Sequence, residues 1–421
     1  MTVATFARLG ALLAGTALAA SAAAQSFAPR AGDWESYQGN IQHTGYVPIT
    51  LNAAASRKIW EWRSPHAADG VLPAINPVTI SGGRIAVSDD DYFSPQALYV
   101  LNEGDGSVLW SHEFPPTTPG LNPATIINGR IFVATSGHQE TLMHSFDAET
   151  GALLWATHFD SQWPHFLAPT VDANLVASAG GYYGGIVGFR KATGRVAASN
   201  FSLPFVDMFT PAMDDDALYF YTTDRLNVLD RKTFAGTSIS DPAPSSTCCY
   251  SYIGASMLSL ARKRVVTLSG DNFSGRASAS TGGYYSRSLV SFDLVGGVLE
   301  WRSTDLFITQ PAMAKGLIFA GSDTPLRLAA LNETDGSLAW AWQPSDGSGG
   351  FCRNVIVTDS HVFVSTTNAV HAIDLATRQS VWSIAIPGEL ALSAKGTLII
   401  NEGCRESTGR MVAVKVPRRG G

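Results

Sequence analysis

Short runs of Val, Ile, Leu and Phe recur along this chain, each broken by Gly, Asn or Asp, and helical periodicity is scarce. That pattern predicts an all-β fold of many short strands joined by tight turns. The runs also repeat. LNEGDGSVLW (101–110), FDAETGALLW (146–155), FDLVGGVLEW (292–301), LNETDGSLAW (331–340) and IDLATRQSVW (373–382) each open a turn with Asp or Asn and place a Trp eight residues later. FRKATGRVAA (189–198) and LDRKTFAGTS (229–238) keep the turn chemistry without the Trp. The turn-opening positions are Asn102, Asp147, Arg190, Asp230, Asp293, Asn332 and Asp374, spaced by about forty residues with one gap of about sixty. Four-stranded propeller blades have a period of that size.

Each unit has a physical reading. The Asp or Asn side chain caps the turn and Gly supplies a positive φ, so the two outer strands form a tight hairpin. The Trp is a large apolar plug for the space between neighbouring blades. Upstream lie NPVTI, NPATI, TPAMD or QPAMA, then a strand such as GRIFVAT or GLIFAGS, read as the inner and second strands. Seven hairpins are visible. ALSAKGTLII (391–400) and GRMVAVKV (409–416) begin an eighth unit that lacks its outer strand, and SRKIWEWRS (56–64) has Trp60 and Trp62 but no hairpin of its own. The expected fold is an eight-bladed β-propeller of four-stranded antiparallel blades, the last closed by the N-terminal strand so that no sheet edge is left free. A seven-bladed ring is the competing count.

Composition adds the compartment. The first residues, MTVATFARLGALLAGTALAASAAAQS, carry one Arg before a Leu/Ala run and end on small residues, the pattern of a secretory signal peptide cleaved after Ala24. No cysteine follows that run to take a lipid anchor. The organisation expected is a signal peptide (1–24), an N-terminal arm (25–55), the propeller (56–417) and a short tail (418–421), in a periplasmic or extracellular monomer. A net charge of −6 with 15% charged residues offers no basic stripe for nucleic acid. In an oxidising compartment the four cysteines are expected in disulfides.

In a propeller, the loops leading into the inner strands and those after the second strands share one face. By the repeat, that face collects Asn76, Asn122, Trp163, His165, Tyr252, Gln310 and Arg353 from the first class, and His138, Tyr182, Tyr183 and Arg287 from the second. The long gap holds GDNFSGRASASTGGYYSRS (270–288), a Gly/Ser/Tyr-rich insertion containing Tyr285. Two uses of this face are open. Binding of a glycan, another polar molecule or a protein would use Asn76, Asn122, Trp163, Tyr182, Tyr252 and Gln310. β-Elimination on a uronate-containing glycan would need Arg287 or Arg353 to neutralise the carboxylate, His138 or His165 as base, and Tyr183 or Tyr285 as acid. His144 and His371 occupy repeat positions three residues before the turn Asp and read as structural. Asp89, Asp90 and Asp91 lack the ligand spacing of a calcium loop and read as a solvated acidic turn. No metal site is expected.

The Asp-x-x-Thr-Gly-x-x-x-Trp repeat resembles that of the pyrroloquinoline quinone (PQQ) dehydrogenases and their non-catalytic relatives, over nearly the whole mature chain. The arm DWESYQGNIQHTGYVP (33–48) is similar to the opening segment of many such propellers. The resemblance implies the fold; for function it admits both quinone-dependent dehydrogenases and scaffolds of outer-membrane assembly that carry no quinone. Cys248-Cys249 matches the vicinal disulfide of the dehydrogenases as a dipeptide, but it follows the fourth hairpin instead of an early blade. No counterpart of their calcium-binding Glu, Asn and Asp is found. Cys352 and Cys404 fall on loops of one face in adjacent blades, so Cys352–Cys404 with Cys248–Cys249 is the favoured pairing of the three that four cysteines allow. The reading adopted is a binding propeller without a cofactor. A uronate lyase is the first alternative, and a PQQ- and calcium-dependent dehydrogenase is the second.

Overall fold

The computed structural model describes residues 32–68, 74–91, 94–137, 140–161, 167–203, 209–222, 224–243, 254–270, 286–404 and 407–419. Eight mainly antiparallel four-stranded blades form the ring. Blade 1 runs outward from the axis through Thr79–Ser81, Arg84–Asp90, Gln96–Asn102 and Val108–Phe114. Blades 2 to 7 follow over 125–158, 170–200, 212–240, 257–307, 312–342 and 351–384. Blade 8 takes its three inner strands from Gly388–Leu392, Thr397–Glu402 and Arg410–Lys415. Its outer strand is Arg57–Arg63, antiparallel to the last strand of the chain, with Trp60 opposite Ala413 and Trp62 opposite Met411. The ring closes as the missing eighth hairpin predicts.

The repeat explains how the blades join. In blade 2, Asp147 Oδ1 accepts from the backbone N–H groups of Glu149 (3.0 Å) and Thr150 (2.8 Å). Gly151, at φ 73°, completes the turn. Glycine is required there twice over, because a Cβ on Gly151 would stand 2.8 Å from the indole of Trp110 in blade 1. That indole donates its N–H to the turn carbonyl of Ala148 at 3.1 Å. The same bond links Trp60 to Glu103, Trp155 to Lys191 and Trp301 to Glu333, each to the next blade round. Each of these four Trp residues therefore packs its ring against the next turn while its donor is satisfied.

The arm does more than precede the ring. Backbone N–H groups of Ile80, Ile126, Met213, Leu258, Met313 and Val357 lie on the inner strands of blades 1, 2, 4, 5, 6 and 7. They donate to the carbonyls of Trp34, Glu35, Ile41, Gln42, Thr44 and Gly45 in turn. Blade 3 is reached by His43, whose Nε2 lies 3.1 Å from Thr170 Oγ1, and blade 8 by Asp33, which accepts from Ala394 N at 2.9 Å. One segment thus bonds to all eight blades of the ring. Inner-strand edges facing the axis would otherwise leave buried N–H groups unpaired. Among the described residues no helix is long and apolar enough to cross a membrane.

Candidate functional site

The predicted site residues belong to the face of the longer loops. Of the predicted site residues, His138, Trp163, His165, Tyr252, Tyr285, Cys248 and Cys249 lie outside the described residues. The others are placed, and most are occupied by the ring itself.

Asn76, Asn122 and Gln310 are buried beside the axis. Asn76 Nδ2 donates to Asp89 O and to Leu121 O of the next blade, both at 2.9 Å. Asn122 Nδ2 donates to Ala134 O (2.8 Å) and Ser136 Oγ (2.7 Å). Gln310 reaches back to blade 5, donating to Ala255 O at 2.8 Å and accepting from Ala255 N at 3.3 Å. Two residues that the repeat did not single out act alike: Asn354 exchanges bonds with Leu390 of blade 8, and Asn401 donates to Ile75 O. Asn76, Gln310, Asn354 and Asn401 thus join neighbouring blades, while Asn122 bonds within blade 2; all lie on the expected face, with their amides engaged by the ring.

The arginines are also turned inward. Arg287 opens the strand Arg287–Asp293 and is fully buried, with Nη1 3.5 Å from Ser269 O. Ser269 Oγ in turn donates to Asp241 at 3.0 Å, and Arg302 closes the network on the same carboxylate. Arg353 adopts φ 62° within the inner strand Phe351–Thr358 of blade 7. Its Nη1 lies 4.0 Å from Glu389 Oε2, and its Nε donates to Gly403 O at 3.4 Å. Burial pushes the Glu389 carboxyl above its ordinary value; Arg353 pulls it down and Asp90 adds to the rise. Beside this pair, Cys352 and Cys404 form a disulfide that ties blade 7 to the loop after the second strand of blade 8. Cys352 itself belongs to the inner strand and not to the loop before it.

Asp89 is corrected more sharply. It is not a solvated turn residue but fully buried, accepting from Ser64 Oγ (2.7 Å), Ala97 N (3.0 Å) and His66 Nδ1 (2.7 Å). Ser64 and His66 follow the N-terminal outer strand, so this cluster fastens ring closure to blade 1. His144 and His371 are structural, as their repeat positions indicate: His144 lies against Phe114 and Phe146, and His371 Nε2 lies 2.9 Å from Asp346.

What remains outward is aromatic. Tyr182 and Tyr183 are 43% and 72% exposed on the loop after the second strand of blade 3, and Phe201 beside them is 47% exposed. Gly181 and Gly185 let that loop lie on the Phe201 ring, which would stand 2.8 and 2.7 Å from a Cβ at either position. Blade 3 thus carries three exposed aromatic side chains, two of them on a tight loop.

A quinone site of the dehydrogenase kind would call for a calcium-binding carboxylate set near the axis. Among the described residues no three His, Cys, Asp or Glu side chains converge as metal ligands, and Glu389 faces Arg353.

Comparison with known proteins bears on the fold. The family described as outer membrane protein assembly factor BamB matches residues 94–342 and 263–413. The crystal structure of BamB from Moraxella catarrhalis aligns with a TM-score of 0.58 at 14% identity, over 86% of this chain and 100% of that one. A europium-containing methanol dehydrogenase aligns with a TM-score of 0.67 at 11% identity, over 92% of this chain and 98% of that one. No curated protein sequence matches significantly. The family match spans most of the ring: the chain belongs to the PQQ-repeat propeller family described as outer membrane protein assembly factor BamB.

Proposed function

We propose that this protein is an exported, non-catalytic propeller whose loop-rich face holds a protein partner, in the periplasm or outside the cell. The observation that carries the reading is the contrast on that face. Its buried amide side chains are taken up in bonds within the ring, whereas Tyr182, Tyr183 and Phe201 are exposed in blade 3. Clustered aromatics with little rotamer entropy are typical anchors of protein interfaces. The family description, an assembly factor, points the same way. The N-terminal Leu/Ala run and the Cys352–Cys404 disulfide suit an exported chain. Lyase chemistry would need Arg287 or Arg353 to reach a uronate carboxylate, and both guanidinium groups are buried.

The test is site-specific photo-crosslinking from position 183 in the native host. A discrete protein adduct is expected, and Tyr182→Ala with Tyr183→Ala should weaken binding of the purified partner by about tenfold or more. Labelling of glycan alone, or no adduct, would overturn the protein-partner reading.

A further inference from the structure

At the junction of blades 6 and 7 the repeat breaks, and a cavity of about 450 Å³ opens on the turn side of the ring, away from the loop-rich face. The break can be followed residue by residue. Lys191 O, in the turn of blade 3, accepts from Trp155 Nε1 at 3.1 Å and Arg130 Nη1 at 2.9 Å. Glu333 O, in the turn of blade 6, accepts from Trp301 Nε1 at 3.1 Å and Arg264 Nη1 at 2.6 Å. Both arginines stand first in their second strands, opposite the turn-opening Asp147 and Asp293. Blade 6 has Leu317 in that register, opposite Asn332. In the facing turn of blade 7, Leu375 follows the opening Asp374, and Arg378 at φ 59° stands where five of the other six turns have glycine. The Arg378 guanidinium lies 5.8 Å from the Trp340 ring.

Two polar groups are left over. Trp340 is 9% exposed, yet its indole N–H has no hydrogen-bond partner among the described residues, and the Leu375 carbonyl receives neither of the donors its counterparts receive. Both residues line the cavity, with Leu317, Phe319 and Val357 as apolar wall. The charges at the rim are already matched: Lys315 Nζ lies 2.8 Å from Asp359, and Arg419 Nη2 lies 3.6 Å from Asp374. An indole N–H only donates and a carbonyl only accepts. A carboxylate would serve the first and leave the second unmet, and an ammonium would do the reverse.

We infer that this cavity binds a molecule with an apolar body and an amide group. The amide carbonyl accepts from Trp340 Nε1 and its N–H donates to Leu375 O. The volume lies within the range of small-ligand pockets, about 300–1,000 Å³. The amide belongs either to a free small molecule or to a peptide segment, and the test separates these sources.

With indole-¹⁵N-labelled protein, the Trp340 resonance is identified by its loss in Trp340→Phe. Titration with N-acetyl-leucinamide should shift that resonance saturably. N-acetylleucine and isoamylamine should bind about tenfold more weakly or worse. Tighter binding of an acetylated, amidated Gly-Leu-Gly peptide assigns the amide to a peptide segment; equal or weaker binding assigns it to a small molecule. Leu317→Arg restores the side chain of blades 2 and 5, so it should keep the wild-type melting temperature and abolish the shift. Leu317→Phe fills the same space if the arginine impairs folding. No shift with the amide, an equal response to the carboxylate, or a shift that survives a folded cavity-filling variant would overturn the proposal.

Discussion

Phe234 of blade 4 fills the space above Gly188 of blade 3: a Cβ on that glycine would stand 2.5 Å from the Phe234 ring. Gly188 pairs across the sheet with Ala198, the position that carries Trp in five other repeats, and Phe234 occupies the turn position that is glycine in five of the other six turns. The large and the small residue have exchanged blades, and the junction is filled either way. Phe234 holds φ 59° to do so, a conformation that disfavours residues with a Cβ by about 1–2 kcal/mol.

The exchange is testable as a pair. Phe234→Gly alone should cost about 2–4 kcal/mol, the loss of a buried ring partly offset by relief of the turn. Ala198→Trp alone should clash with Phe234. Combined, they recreate the Trp–Gly junction of the other blades, and chemical denaturation should show the double variant more stable than either single one. Additive losses would refute the exchange.

Burial holds the His144 imidazole neutral, its pKa lowered to about 4, with nearby His112 adding to the shift. An unfolded chain protonates this group near 6.5, so it takes up more protons than the folded state as pH falls. Stability should therefore be full above about pH 6.5 and decline down to about pH 4, by up to roughly 3 kcal/mol from this residue. His43, buried in the arm and also shifted down, adds in the same direction. Melting temperatures of His144→Phe between pH 7 and 4 should show a shallower decline than wild type. An identical slope would remove His144 from the acid sensitivity.

How far the sequence carries depends on whether a feature repeats. The blades, their turns, the Trp plugs and the closing strand all recur with one period, so each copy supports the others. Ring closure by Trp60 and Trp62 was legible because an unfinished unit at one end matched an orphan strand at the other. The role of the arm was not, because its bonds to the inner strands are made by backbone groups that carry no residue signature. Asn76, Asn122 and Gln310 fell on the right face, yet a polar side chain aimed at a neighbouring backbone looks the same in sequence as one aimed at a ligand. Asp89 misled for a related reason: its partners Ser64 and His66 come from the segment that follows the outer strand of another blade.

The Cys352–Cys404 disulfide links two blades across a separation of 52 residues and backs the loop that receives Arg353. Cross-links of that span stabilise by about 2–4 kcal/mol, mainly by restricting the unfolded chain. Cys352→Ser combined with Cys404→Ser should lower the denaturation midpoint accordingly, and Cys404→Ser alone should be no milder. A change below about 0.5 kcal/mol would mean that blades 7 and 8 are held by the arm and the amides without it.

Gln38 offers the most direct probe of the arm. It is buried at the axis, where its Nε2 donates to Pro311 O of blade 6 at 2.9 Å and its Oε1 accepts from Asn354 Nδ2 of blade 7 at 2.9 Å. Gln38→Ala leaves the Pro311 carbonyl without that donor and deprives Asn354 of one acceptor, while Asn354 keeps its bond to Leu390 O at 3.0 Å. Each unmet buried group costs about 1–3 kcal/mol, so a loss of about 2–3 kcal/mol is expected. Gln38→Glu places a carboxylate that can still accept but cannot donate to Pro311 O, and should be at least as damaging. If the arm secures the ring as its bonds to all eight blades imply, amide exchange should quicken in the inner strands of several blades, not only 6 and 7. Exchange confined to those two would show that the arm rests on the ring without holding it.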